Sequence, residues 1–300
     1  MGVCIRTVGL TKRYGRHVGV EQLDLCVPEG EVFGYLGPNG AGKTTTIRLL
    51  VDLVRPTSGH IEVFGLDSRR DSREVRRRIG YLPGELFLYD RLTGDEMLTH
   101  LAHLRGGVAR AEILRLAERL DVDLARPIRT LSKGNKQKIG LVQAFMHRPE
   151  LLLLDEPTSG LDPLVQVEVH ELIEEARDEG RTVFLSSHVL PEVDRIADRV
   201  GMLKAGRLIA VEDVAGLKER AVHRLEARLG APVPPDAFDR VPGVSRADVR
   251  GTSARLVLSG SMAPVVRALA RYEVEDLVVH EPDLEEIFLT YYGEAPDRAA

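Results

Sequence analysis

The sequence predicts an α/β protein. A mostly parallel sheet carries helices on both faces, with an N-terminal antiparallel β subdomain, an inserted α-helical subdomain and a small C-terminal α+β domain. Three observations carry that expectation. Apolar runs of strand length alternate with helix-length patterns between residues 31 and 199. The glycine-rich segment Gly37–Thr45, GPNGAGKTT, joins one such run to a helix. Between about residues 85 and 150 the strand signals give way to helical apolar stripes.

Taken in order, Val3–Leu10, Val18–Val27 and Glu31–Leu36 read as strands, with Pro28-Glu29-Gly30 as a turn. Residues 44–54 form a helix stopped by Arg55-Pro56, and Ser58-Gly59 turns into the strand HIEVFG. A charged helix over 71–78 leads to the short strand Ile79–Leu82. Thr93 and Glu96 have capping-box spacing, opening a helix with Met97, Leu98, Leu101 and Leu104 on one face. Ile113, Leu116, Ala117 and Leu120 make a second stripe, and both stripes read as core. Leu151–Leu154 is the continuous apolar run of a strand buried on both faces. A helix at 163–179, a strand at 181–187, a helix near 191–199 and a hairpin over 201–211, turning at Ala205-Gly206, follow. The pattern then changes, dividing the chain into domains 1–216 and 217–300. The second has strands at 222–229, 254–258 and 274–279 and helices at 262–271 and 283–291. Gly230–Gly243 holds four prolines and reads as a loop, and the last seven residues read as disordered.

Composition narrows the function. Lys and Arg number 41 against 46 acids, and a formal charge of −5 gives no global attraction to nucleic acid, so no nucleic-acid partner is expected. Arg69–Arg78, in which six of ten residues are arginine, is a local exception that reads as a solvated helix face. Cys4 and Cys26 fit no metal or redox spacing and suit a reducing cytoplasm. No secretory signal is evident, and no apolar run approaches the about 18–20 residues that span a bilayer. Any membrane role is therefore expected to run through a partner.

The chemistry starts at GPNGAGKTT, which matches G-x-x-x-x-G-K-[ST] with Gly37, Gly42, Lys43 and Thr44 in register. Glycines let successive backbone N–H groups point inward at phosphate oxygens, and the following helix aims its positive end at the same anion. Lys43 reaches the outer phosphates, and the Thr44 hydroxyl suits Mg²⁺. This is a nucleotide site. Downstream, Asp155 and Glu156 end the apolar run LLLLDEP. The first acid is placed to hold Mg²⁺ and the second to deprotonate an attacking water, on a strand expected to lie next to that of the loop. Between these elements, Leu131-Ser132-Lys133-Gly134-Asn135-Lys136-Gln137 opens a helix. Ser132 is its N-cap, Gly134 permits close backbone approach, and Lys133, Lys136 and Lys138 make the helix start electropositive.

In this order the motifs resemble the nucleotide-binding subunit of ABC (ATP-binding cassette) transporters over residues 1 to about 216, which implies a P-loop NTPase core. The residues that carry the resemblance are the phosphate loop, Tyr14 in KRYG, the signature-like 131–137, Asp155-Glu156, Ser159-Gly160-Leu161-Asp162, and His188 in SSH. The resemblance implies that Tyr14 stacks on adenine and that Gly37, Pro38, Asn39, Gly40, Ala41, Gly42, Lys43, Thr44 and Thr45 hold ATP. It implies that Thr44 and Asp155 hold Mg²⁺, and that Glu156 and His188 are catalytic. Ser132, Gly134 and Asn135 would contact the ATP of a second copy in a head-to-tail pair, while Ser159, Gly160, Leu161 and Asp162 form the loop that meets that copy.

Two positions depart from the family pattern. Gly84 stands where a glutamine near Mg²⁺ is usual, with Glu85 beside it as a candidate replacement ligand, and Asn135 takes the fifth signature position. The ending EPDLEEIFLTYYG resembles subunits of drug, antibiotic and polysaccharide exporters whose permeases are separate chains. The implied protein is an Mg²⁺-dependent ATPase, cytoplasmic and peripheral on the inner face of the membrane through a polytopic permease. The rival reading is a soluble ABC ATPase acting on ribosomes or nucleic acid; one phosphate loop and no coiled-coil insertion weigh against it.

Overall fold

The chain begins with a long hairpin, β1 (Val3–Tyr14) antiparallel to β2 (His17–Pro28). β1 runs four residues beyond the expected Leu10, because Lys12, Arg13 and Tyr14 keep pairing with Val20, Val18 and His17. β3 (Val32–Leu36) then enters the core, and α1 (Lys43–Leu50) follows the glycine-rich loop. This helix stops short of the expected residue 54. Asp52 adopts a left-handed φ of 55°, and the N–H groups of Leu53 and Val54 both turn back to Arg48 O. β4 (Ser58–Val63) pairs with the other edge of β1, and a two-residue strand, β5 (Leu66–Asp67), completes a four-stranded antiparallel sheet in the order β2-β1-β4-β5.

After α2 (Ser72–Arg77) and β6 (Ile79–Leu82) comes the helical insertion: α3 (Gly94–Leu104), α4 (Arg110–Arg119), one 3-10 turn at Ile128–Thr130, and α5 (Lys133–Phe145). The capping box forms as read. Thr93 Oγ1 accepts from the Glu96 N–H and Glu96 Oε2 accepts from the Thr93 N–H, a cap whose removal typically costs about 1 kcal/mol. The core then resumes with β7 (Leu151–Asp155), α6 (Pro163–Asp178), β8 (Thr182–Ser187), α7 (Leu190–Ile196), β9 (Arg199–Lys204) and β10 (Arg207–Asp213). α7 ends before residue 199, where Ala197 turns extended so that Arg199 can pair beside Phe33 on β3.

The main sheet has the order β10-β9-β3-β8-β7-β6, with β3, β6, β7, β8 and β9 parallel where they pair. One expectation is corrected here. The strand ending in Asp155 is not next to the strand of the phosphate loop, because β8 lies between them and pairs with both. β3, β7 and β8 are buried at every position, as both faces of the sheet are covered. In the core Phe184 stacks on Phe33 with centroids 5.5 Å apart and meets Tyr35 at a tilt at 5.1 Å, alongside Ile47 and Leu50 of α1 and Ile5 and Leu10 of β1.

The structure, a computed structural model, describes residues 2–220, 223–258 and 260–280, and the chain divides into units Met1–Val211 and Glu212–Ala300. The helix expected at 283–291, the EPDLEEIFLTYYG ending and the last seven residues lie outside the described residues. The second unit contains α8 (Val214–Arg220) and a sheet ordered β12-β13-β11-β14, formed by β11 (His223–Leu229), β12 (Val244–Arg250), β13 (Ser253–Leu258) and β14 (Val274–His280). With α9 (Ala263–Leu269) it closes a separate core around Leu225, Phe238, Leu256 and Val265. β12 was not foreseen. Its sequence VSRADVR alternates charges with small residues and lies at a sheet edge, half exposed.

Candidate nucleotide site

The loop between β3 and α1 is shaped by Gly37 and Gly42, neither of which has room for a side chain. A Cβ on Gly37 would lie 2.6 Å from Leu203 O, and one on Gly42 would lie 2.2 Å from Gly19 O at a φ of 112°. No side chain caps α1, so the N–H groups of its first turn stay available to an anion. Lys43 is 6% exposed, and its Nζ donates to Gly37 O at 2.6 Å. Around it lies a cavity of about 220 Å³ with His17, Gly19, Gly40, Lys43, Thr45 and Glu156 in its wall. Pro38, Asn39 and Thr44 also line it. Tyr14 is 45% exposed and is not in the cavity wall itself but beside Gly19, which is: the site of a Cβ on Gly19 lies 3.1 Å from both the Tyr14 ring and Thr45 Cγ2. The absent Gly19 side chain thus leaves space between aromatic ring and loop. Lys12 Nζ sits 4.9 Å from the ring centroid.

On the far side, β7 delivers both acids. Asp155 is fully buried. Its Oδ1 accepts from Ser186 Oγ at 2.5 Å, while Oδ2 is buried without a hydrogen-bond partner. An orphaned carboxylate oxygen is costly unless a cation or donor meets it, so the donor set fits a hard divalent ion. Gly84 borders this oxygen: a Cβ there would lie 3.0 Å from it. Glu85 is exposed, makes no hydrogen bond or ion pair among the described residues, and joins no cluster of acids with Asp155.

Glu156 takes a left-handed φ of 52°, unusual for a residue with a side chain, which turns its carboxylate off the strand axis. Its Oε1 lies 3.4 Å from Lys43 Nζ, and its Oε2 lies 2.7 Å from His188 Nδ1. The site therefore places a carboxylate between the phosphate-loop lysine and the histidine that follows β8. Thr158 Oγ1 donates to Glu192 Oε2 at 2.6 Å; burial, with the charge of Glu156 adding, pushes the Glu192 carboxyl above its usual range.

The signature-like segment caps as read: Ser132 Oγ accepts from the Asn135 N–H at 3.2 Å. Its lysines behave differently from expectation. Lys138 is buried and donates to Asp121 O at 3.0 Å, and Lys136 pairs with Asp90 at 3.3 Å. Only Lys133 of the three has no ion pair among the described residues, so the helix start is less positive than the sequence suggests. Asp162 is engaged as the N-cap of α6, accepting from the Val165 N–H at 3.1 Å; Gly160 is at φ 76° and Leu161 is buried. Ser159 is half-buried. Gly160 O faces the signature helix, 2.7 Å from where a Cβ on Gly134 would be. Sequence reasoning misses His17 in the cavity wall and Ser186 on Asp155, and it places Gln137 in the signature-like segment without its contact to the Glu156 backbone. The polar Ser186-Ser187 end of an otherwise apolar strand was the one available signal.

The family model described as ABC transporter matches residues 20–159. The bacitracin transport ATP-binding protein BcrA of Bacillus licheniformis is 40% identical over 233 residues, covering 76% of each chain. The daunorubicin resistance ATP-binding protein DrrA3 of Streptomyces coeruleorubidus is 39% identical over 302 residues, covering 95% of each. The chain belongs to the ABC transporter ATP-binding family. Among solved structures, an ATP-binding subunit of an ABC transporter superposes on this cassette with a TM-score of 0.64 at 31% identity, covering 72% of this chain and 92% of the other. The cassette is thus an ABC ATPase on a P-loop NTPase fold. Among its described residues no helix is long and apolar enough to cross a membrane.

Proposed function

We propose that this cassette powers the export of a drug or antibiotic through a separate polytopic permease, by ATP-driven pairing with a second copy and hydrolysis that releases the pair. One observation supports this reading above the rest: Glu156 lies between Lys43 and His188, in the wall of the phosphate-loop cavity. Tyr14 stacks on the adenine, and the loop N–H groups of Gly40–Thr45 take the β- and γ-phosphates. Thr44 and Asp155 would hold Mg²⁺, which would neutralise charge developing on the phosphates. Glu85 would add an outer ligand to that ion, with Gly84 leaving its loop room to approach. Glu156 takes the proton of the attacking water, and His188, oriented by Nδ1 donating to Glu156, faces the γ-phosphate. Ser132, Gly134 and Asn135 of one copy contact the ATP of the other, and the Ser159–Asp162 loops meet across the pair. Loss of the γ-phosphate contact then drives the permease.

The antibiotic cargo rests on the relatives, named for bacitracin transport and daunorubicin resistance. In this reading the cassette is cytoplasmic, held at the inner membrane face by its permease. Glu156→Gln is expected to bind ATP, lose turnover by about 10²–10⁴-fold, and sediment as a dimer with ATP. Adding Ser132→Arg to that background should abolish the dimer. ATP hydrolysis near the wild-type rate in Glu156→Gln, or an ATP dimer that tolerates Arg at 132, would exclude the shared-site mechanism. Capture of the Glu156→Gln protein from solubilised membranes without any polytopic partner would exclude the transport role.

A further inference from the structure

Gln137 has no part in the mechanism above, yet it is 4% exposed and makes two defined bonds. Its Nε2 donates to Glu156 O at 3.2 Å and to Pro157 O at 3.1 Å. Both amide hydrogens are therefore spent on the backbone of one dipeptide. That dipeptide has reason to need holding. Glu156 is held in the left-handed region, which a residue with a Cβ occupies only when its surroundings impose it. Pro157 has no N–H with which to tie the segment itself. On the opposite side, the Glu156 N–H donates to Ser186 O at 3.1 Å. The backbone of Glu156 is thus gripped by β8 at its N–H and by α5 at its C=O. Release of either grip lets the residue rotate and swings the carboxylate from between Lys43 and His188.

The position on α5 adds a second consequence. Gly134 and Gln137 are three residues apart and share one helix face. Gly134 lies against Gly160 O and Gln137 against Glu156 and Pro157, so the start of α5 is joined at two points to the loop that follows the base. We infer that Gln137 is a positioning residue for Glu156, aiming the carboxylate through its backbone and coupling it to the start of α5, the part that meets ATP held by the second copy. This rests on the reading of Glu156 as the base. A shift of α5 when the two copies close is carried to the base by Gln137, so hydrolysis waits for pairing.

The test uses the full chain carrying Gln137→Met, which keeps the length and removes the donors. Gln137→Glu, of the same size and polarity, presents acceptors to acceptors. ATP affinity, read with a fluorescent analogue, is expected to stay within about twofold of wild type while kcat falls about 10- to 100-fold, the scale of a reacting group misplaced by about 1 Å. In the Glu156→Gln background neither substitution should lower turnover further, because the group it aims is already gone. The ATP-induced dimer of that background should persist. A glutamine that only fills the core gives another pattern: melting temperature and ATP affinity fall together, and the losses at 137 and 156 multiply. That pattern, or wild-type kcat in a Gln137 variant that binds ATP, overturns the proposal. Failure of the base assignment is read separately, from near wild-type turnover in Glu156→Gln alone.

Discussion

Gly134→Ala tests how tightly the signature helix is seated on its own chain. Gly134 lies in the first turn of α5, where alanine would by propensity stabilise the helix by about 1 kcal/mol. The structure opposes that gain. The new Cβ would stand 2.7 Å from Gly160 O, against 3.4 Å for ordinary contact, so helix or loop must yield by about 0.7 Å. The obstacle is backbone, which no side-chain rotation relieves, and overpacking of this kind typically costs about 1–3 kcal/mol. The two terms leave a net destabilisation of about 0–2 kcal/mol. Function should suffer more, because a displacement of this size at a reacting site costs about tenfold or more in rate. The expected result is a melting temperature within a few degrees of wild type, with kcat for ATP lowered about tenfold. Measured kcat and melting equal to wild type would show that the loop moves freely and that the close approach at Gly160 has no functional weight.

Lys43→Ala should weaken ATP binding by about tenfold or more, since it removes the buried cation that faces the phosphates; unchanged affinity in a fluorescent-analogue titration would remove the phosphate-loop reading. Glu85→Ala should raise the Mg²⁺ concentration for half-maximal ATPase activity about threefold or more, whereas an unchanged titration would eliminate Glu85 as a ligand. His147 donates from Nε2 to Ile79 O at 3.1 Å, and burial, with Arg105 adding, pushes its pKa down to about 4. The unfolded chain therefore binds the proton first. The stability contributed by neutral His147 is present above pH 6.5 and is lost as pH falls towards 4. Relative to His147→Gln, which keeps the donor without titrating, wild type should lose about 2 kcal/mol between pH 8 and pH 5. Parallel melting curves of the two proteins across that range would contradict the burial argument.

The site was more legible than the framework around it, for physical reasons. Phosphate chemistry restricts residue types so strongly that Gly37–Thr45 declares itself, and a run of four leucines ending in two acids has few other uses. Element ends were harder to read. Nothing local marks Asp52 as the stop of α1, because its left-handed φ depends on how Leu53 and Val54 return to Arg48. Strand order was invisible for a related reason. Apolar runs reveal that β3, β7 and β8 are buried, but neighbours are chosen by crossovers, and β8 took the place between the other two. The lysines of α5 misled because sequence shows charge without its partners; Asp90 and Asp121, on distant segments, claim two of them. Gln137 reads in the sequence as the end of the signature-like segment 131–137, and only the fold brings the Glu156 carbonyl to it.

The place of β8 in the sheet makes it the common ruler of the candidate nucleotide site. Along one edge it sets the height of β3, and hence of the glycine loop; along the other it sets β7, and hence both acids. At its end, Ser186 steadies Asp155 and the chain passes directly to His188. A change in the bulk of Val183, Phe184 or Leu185 has no exposed side into which to relax. It would alter the spacing between the glycine loop and Glu156 while leaving both unchanged in sequence. Substitution within this strand is thus expected to change turnover with every motif intact, an effect that inspection of motifs alone would miss.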